Sequence, residues 1–96
     1  MTIHKAIQEL FASRGFTTGV RNGRRVGFFH GTGHGLGLEI HEHPRLQKVV
    51  LKDRQVLTVE PGLYYPGVGG ARQEDVVVVT KTGCRILSRF PKELEI

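Results

Sequence analysis

His30-Gly31-Thr32-Gly33-His34-Gly35-Leu36-Gly37-Leu38-Glu39-Ile40-His41-Glu42 is the stretch on which the reading of this chain turns. Four glycines fall in seven positions, at 31, 33, 35 and 37. They allow backbone conformations and close approaches that a Cβ would block. Among them stand His30, His34 and His41, and His43 follows. A lone histidine in such a place is ordinarily a hydrogen-bonded structural residue. Several imidazoles around one Gly-rich turn need a reason beyond packing. The Gly-x-Gly elements have the look of a phosphate loop, but the spacing is not the dinucleotide fingerprint. No Lys-Ser or Lys-Thr follows as a P-loop requires.

Working outward, Thr2 to Arg14 reads as an amphipathic helix. Ile3, Ala6, Ile7, Leu10 and Phe11 form one apolar stripe at helical spacing. Thr2 is the expected cap and Gly15 the expected stop. Gly15 to Arg25 reads as a polar connection, and Val26 to His30 as a short buried strand. On the other side, Gln55 to Tyr65 reads as a strand that meets Pro61 and Gly62, where the proline, lacking an N–H, ends ordinary ladder pairing or sits at a kink. Pro66 to Gly70 is an expected turn. Arg72 to Thr80 is an expected strand, its run Val76 to Val79 suggesting burial on both faces. Lys81-Thr82-Gly83 reads as a hairpin turn returning Arg85 to Ser88 antiparallel. Phe90 to Ile96 carries no pattern.

Ninety-six residues make one domain, 1–96. Its 39% hydrophobic and 24% charged residues are ordinary for a globular protein. No apolar run approaches the roughly 20 residues of a membrane span, and Met1 to Leu10 does not read as a signal peptide. One cysteine, Cys84, cannot close an internal disulfide, which suits a reducing, cytoplasmic setting. The net charge of +5 raises the question of nucleic acid. The one basic cluster, Arg21, Arg24 and Arg25, has no aromatic residues interleaved as a stacking surface needs. It reads as a solvated loop, with an anionic partner as the lesser reading.

Two further segments carry chemistry: Thr58-Val59-Glu60-Pro61-Gly62 and Arg72-Gln73-Glu74-Asp75. Glu60 and Glu74 lie in strand-like surroundings rich in Val, Leu and Tyr. A carboxylate there is costly unless paired or bound to a cation. Arg72, two residues from Glu74, can share its face of a strand, so a buried Arg–Glu pair stands as the alternative. With the histidines, the donor set is nitrogen and oxygen, suited to Mn, Fe, Co or Zn. The single cysteine argues against a thiolate zinc site.

Taken together, His30 to Glu42, Glu60-Pro61-Gly62-Leu63-Tyr64 and Arg72-Gln73-Glu74-Asp75 resemble the C-terminal signatures of the pita-bread metallopeptidases, in the prolidase and Xaa-Pro aminopeptidase branch. The resemblance runs from about Thr2 to about Leu87, with three motifs in order. It implies an α+β fold, half of a pita-bread domain, with an N-terminal helix packed on a curved antiparallel sheet. It implies two divalent metal ions, manganese first, with cobalt, zinc or iron as alternatives. By resemblance His34, Glu60 and Glu74 are metal ligands. Glu60 also serves as general base or acid, and His41 contacts substrate and supports proton transfer. His30 lines the pocket as a further catalytic histidine, and Arg72 supports Glu74 and the substrate. The implied substrates are proline-containing peptides. The Gly69-Gly70-x-Arg72-x-Glu74-Asp75 run favours this branch over the methionine aminopeptidases.

The family pattern has five metal ligands, and two are aspartates upstream of the helix that resembles Thr2 to Arg14. The only aspartates here are Asp53 and Asp75, and neither matches those positions. The expectation is therefore the second half of a catalytic domain, inactive alone, whose uncovered sheet pairs with a missing N-terminal half or with another copy. The alternative function is a non-catalytic, protein-binding module of the same fold. A nucleic-acid role ranks last, and no membrane role is expected.

Overall fold

The structure is a computed structural model that describes residues 2–46 and 49–92. The expected helix forms as α1 (Ile3–Ser13). Thr2 is extended and its hydroxyl accepts the Lys5 N–H, which satisfies one of the free amides of the first turn. The chain leaves the helix through Gly15 at φ +89°. The apolar stripe leans on one residue above all. Phe11 meets the Phe28 ring edge-on at 5.9 Å, and Gln8 Nε2 donates to the Phe28 carbonyl. Phe28 is fully buried.

The connection expected between Gly15 and Arg25 is not plain loop. It holds a hairpin, β1 (Gly19–Arg21) and β2 (Arg24–Val26), turned by Asn22 and Gly23, both at positive φ. Asn-Gly is the pair that such a tight turn demands. Nor does Val26 to His30 form a strand. Val26 ends β2, and Gly27, at φ +86°, makes only a bridge to Tyr64. A Cβ on Gly27 would lie 2.3 Å from the Thr17 carbonyl oxygen, so the backbones touch where a side chain cannot fit.

A five-stranded antiparallel sheet carries the core. Its order is β4 (Glu42–Arg45), β3 (His34–Gly35), β5 (Val56–Val59), β8 (Asp75–Thr80), β9 (Gly83–Ile86). A separate hairpin, β6 (Gly62–Tyr65) and β7 (Gly69–Arg72), stands beside it. The interruption expected at Pro61 divides one segment into β5 and β6, and the single strand expected over Arg72 to Thr80 is divided as well. Gln55 to Tyr65 breaks after Val59, at Glu60-Pro61, and Arg72 to Thr80 breaks at Gln73-Glu74. Both breaks fall at carboxylates of the site, which lie beyond strand ends rather than within ladders. The β8–β9 hairpin at Lys81-Thr82-Gly83 is as expected.

Register sorts the sheet's two faces. Leu57 pairs with Val77, and on that face they join Leu46 in the core, with Leu51, Val59 and Val79 packed against them. Thr58 pairs with Val76 on the opposite face. Of the run Val76 to Val79, only Val77 is fully buried; its neighbours are half-buried. The fold class is α+β, one helix with antiparallel sheets, among the described residues.

Candidate metal centre

His34 is the fixed point of the site. It opens β3, between β4 and β5, and is 8% exposed. Gly33 before it lies so close to β5 that a Cβ would sit 1.8 Å from the Thr58 carbonyl oxygen. That approach lets the His34 N–H reach Thr58 Oγ1 at 3.1 Å. The imidazole is set by a second bond. Nδ1 lies 2.8 Å from the Gly35 carbonyl oxygen, which can only accept, so Nδ1 carries the proton. In the neutral ring this leaves Nε2 as the acceptor, 3.4 Å from Glu60 Oε2.

Glu60 follows β5. Its backbone N–H donates to the Thr32 carbonyl at 2.7 Å, and Thr58 Oγ1 lies 3.4 Å from its Oε2. Glu74 arrives from the break before β8. Ligand atoms of His34, Glu60 and Glu74 all lie within 4.8 Å of one another. Glu74 is exposed at the surface of the cluster, but partial desolvation of its carboxyl raises its pKa, and the neighbouring Glu60 carboxylate raises it further. Arg72 and His34 oppose that shift without cancelling it. The suggested Arg72–Glu74 ion pair is not formed. Arg72 ends β7 in the other sheet, and the described ion pairs include none at Arg72.

Two carboxylates and an imidazole lone pair thus converge with no donor among them. Such a set is satisfied by a cation, or by a shared proton when none is bound. The residues present therefore fit a divalent metal, with nitrogen and oxygen ligands and no thiolate. Asp53 and Asp75 are not part of this cluster. Asp75 is engaged elsewhere, with Ser88 and Lys92.

Of the other expected residues, His41 lies on the exposed segment after β3, its ring 4.5 Å from that of His34. His34, Glu60, Arg72 and Glu74 line one cleft of about 470 Å³ together with His41, Leu36, Leu38 and Ile40. His30 lies on an adjoining cavity that shares His34, His41, Glu60 and Arg72. Its Nδ1 donates to the Gly31 carbonyl at 2.8 Å, so its Nε2 accepts from the Tyr64 hydroxyl at 2.9 Å. Every expected site residue is therefore brought together. Two were missed. Thr58 ties His34 to Glu60, and Tyr64 holds His30. Thr58 was legible in outline, since two residues before Glu60 on a strand is the same face. Tyr64 was not, because its contact spans 34 positions.

The chain is similar to known proteins over most of its length. The profile of metallopeptidase family M24 matches residues 1–81. The Xaa-Pro dipeptidase of Pyrococcus furiosus is 49% identical over 70 residues, which are 70% of this chain and 20% of that protein. The solved prolidase from Pyrococcus furiosus superposes with a TM-score of 0.77 at 38% identity, covering 96% of this chain and 27% of that one. The X-Pro aminopeptidase from Thermotoga maritima gives a TM-score of 0.79 at 35% identity, over 94% of this chain and 24% of that one. The chain spans about a fifth of the length of the curated relatives it matches. With the profile match covering most of its length, and the metal-ligand cluster where the motifs fall, the chain belongs to metallopeptidase family M24.

Proposed function

We propose that this chain supplies His34, Glu60 and Glu74 to the two-metal centre of a peptidase that cleaves Xaa-Pro bonds. The observation that carries the reading is the convergence of these three ligand atoms within 4.8 Å around a bare imidazole nitrogen. The Xaa-Pro dipeptidase and prolidase relatives supply the substrate class. Manganese is the proposed metal, with cobalt, zinc or iron able to occupy the same donors. Two further carboxylates are proposed to come from outside this chain, from a preceding half or an associated subunit.

When bound, the ions supply Lewis-acid polarisation of the scissile carbonyl and acidify a water. The residues of the chain do the rest. His34 offers Nε2 because Gly35 holds its other nitrogen protonated. Glu60 accepts the proton of the attacking water and returns it to the leaving amine. His41, exposed and beside His34, donates a hydrogen bond to the oxygen that gains charge. His30 has both ring nitrogens engaged, so it walls the pocket instead of carrying protons. Arg72 holds positive charge near Glu74 and toward a substrate carboxylate.

A chimera tests the reading. Residues 2–81 replace the matching segment of the Pyrococcus furiosus Xaa-Pro dipeptidase, and proline release from an Xaa-Pro dipeptide is measured with manganese or cobalt. Metal-dependent release that is lost on His34→Ala is the expected result. A folded chimera that binds metal and releases no proline would sink the peptidase reading and favour the non-catalytic module.

A further inference from the structure

The β1–β2 hairpin builds a cavity separate from the metal centre. Its β1 and β2 strands, the end of α1 and the β6–β7 turn enclose a groove of about 500 Å³. Phe16, Tyr65, Val68 and Val26 give it apolar walls, and Arg21 and Arg24 give it charge. No carboxylate lines it.

Several contacts hold this region in shape. The Tyr65 hydroxyl donates to the Thr17 carbonyl at 2.9 Å, and Arg21 Nη2 reaches Thr17 Oγ1 at 3.4 Å. Thr18 Oγ1 accepts the Phe28 N–H at 2.9 Å. The Phe16 and Tyr65 rings lie 6.4 Å apart, and the Arg21 guanidinium sits over the Tyr65 ring at 5.7 Å.

Arg21 pairs directly with Arg24 across the hairpin. Like charges opposed on neighbouring strands destabilise the pair, and nothing among the described residues neutralises them. An anion between the two guanidiniums reverses that penalty and is held by charge-assisted hydrogen bonds. Val20 and Arg25, the next cross-strand pair, point to the other face. The charge in the groove is therefore directional and not a general property of a basic loop.

The geometry points to a docking groove for an acidic peptide segment of a partner protein. Its carboxylates meet Arg21 and Arg24, and an adjacent apolar side chain packs on Phe16, Tyr65 and Val68. Val68 is 89% exposed, which leaves an apolar contact open next to the arginines. A carboxylate suits the groove better than a nucleic-acid strand. The Tyr65 face that would stack a base is already covered by Arg21, and two cations do not make a track for successive phosphates. This site owes nothing to the metal centre, so its test does not depend on peptidase activity.

Fluorescence anisotropy of the 96-residue chain tests it, with a fluorescein-labelled Gly-Glu-Phe-Glu-Gly peptide as probe at low salt. The same peptide with Gln for Glu, a short oligothymidylate and inorganic phosphate are the comparisons. The Glu peptide is expected to bind, and Arg21→Gln or Arg24→Gln to weaken it by about tenfold, while Arg25→Gln on the opposite face changes it less than about twofold. Circular dichroism of each variant keeps loss of binding separate from loss of fold. No binding of the Glu peptide at millimolar concentration overturns the proposal, as does equal binding of the Gln peptide. An equal effect of Arg25→Gln overturns it in favour of diffuse charge. Tighter binding of the oligonucleotide, or full displacement by equimolar phosphate, overturns it in favour of a bare anion site.

Discussion

Thr58 Oγ1 stands between two metal-ligand candidates, accepting the His34 backbone N–H at 3.1 Å and lying 3.4 Å from Glu60 Oε2. It is 3% exposed and faces the site from the middle of β5. One hydroxyl therefore fixes the backbone that carries the imidazole and touches the carboxylate opposite. Thr58→Val keeps the shape and removes the acceptor, leaving a buried N–H without a partner. Unfolding free energy is expected to fall by about 1–3 kcal/mol in urea denaturation. Metal affinity is expected to fall by about tenfold or more in calorimetry, because the ligands lose their orienting partner. Unchanged metal affinity in a destabilised variant would reduce Thr58 to a packing role.

Glu74 sets the pH dependence of metal binding. Partial desolvation and Glu60 raise its pKa, so folding without metal stabilises the protonated form relative to the unfolded chain. The sign follows. The contribution of that proton to stability is complete below the unfolded pKa and is lost as pH rises through the raised folded value. A metal competes with the same proton. Affinity is expected to rise with pH through the Glu74 titration, and binding near it to release a proton. Calorimetry in buffers of different ionisation enthalpy reads this release. Glu74→Gln should weaken binding and flatten the pH slope, whereas a slope that survives the substitution would assign the proton to another group.

Gly33 is required by contact. A Cβ there would meet the Thr58 carbonyl oxygen at 1.8 Å, and backbone cannot swing aside as a side chain can. Gly33→Ala must push β3 away from β5, and a loss of at least about 3 kcal/mol is expected. Gly83→Ala is the control, since nothing lies within 4 Å of its added Cβ. Equal thermal midpoints for the two variants would show that the close approach does not bear on stability.

Asp75 ties the start of β8 to the segment that follows β9. Ser88 Oγ donates to its Oδ1 at 2.6 Å and accepts the Val76 N–H at 3.2 Å, and Lys92 Nζ reaches Oδ2 at 2.6 Å. The hydrogen bonds from Lys92 and then Ser88 lower the Asp75 pKa. Stability from this pair is present above the unfolded pKa and lost as pH falls through the depressed one. Lys92→Met is expected to lower the urea midpoint at neutral pH by a small amount, with the difference from the parent closing in acid. A difference that persists below the depressed pKa would point to packing by the lysine stem.

The helix and the β8–β9 hairpin rest on local causes in the sequence, whereas the α+β class and the three ligand candidates came from the resemblance of its motifs to a known family. An apolar stripe at helical spacing, Thr2 before it and Gly15 after it leave little freedom in α1. Imidazoles among glycines drew attention to the site, whereas the carboxylates expected within apolar strands lie at strand breaks, Glu60 half-buried and Glu74 exposed. What failed was continuity. Gln55 to Tyr65 breaks at Pro61 as its missing N–H led one to expect, but the strand expected to run unbroken from Arg72 to Thr80 breaks at Gln73-Glu74. Only tertiary packing shows that β6 and β7 leave the main sheet to pair with each other. Tertiary structure likewise decided that Arg72 does not bridge to Glu74, that Tyr64 holds His30, and that Tyr65 and Phe16 meet the arginines of the β1–β2 hairpin. The contacts of Tyr64 and Tyr65 join residues tens of positions apart, and periodicity and propensity act over a few. His34, Glu60 and Glu74 could thus be named from their motifs, but it took the close approach of β3 to β5 to place their ligand atoms within 4.8 Å.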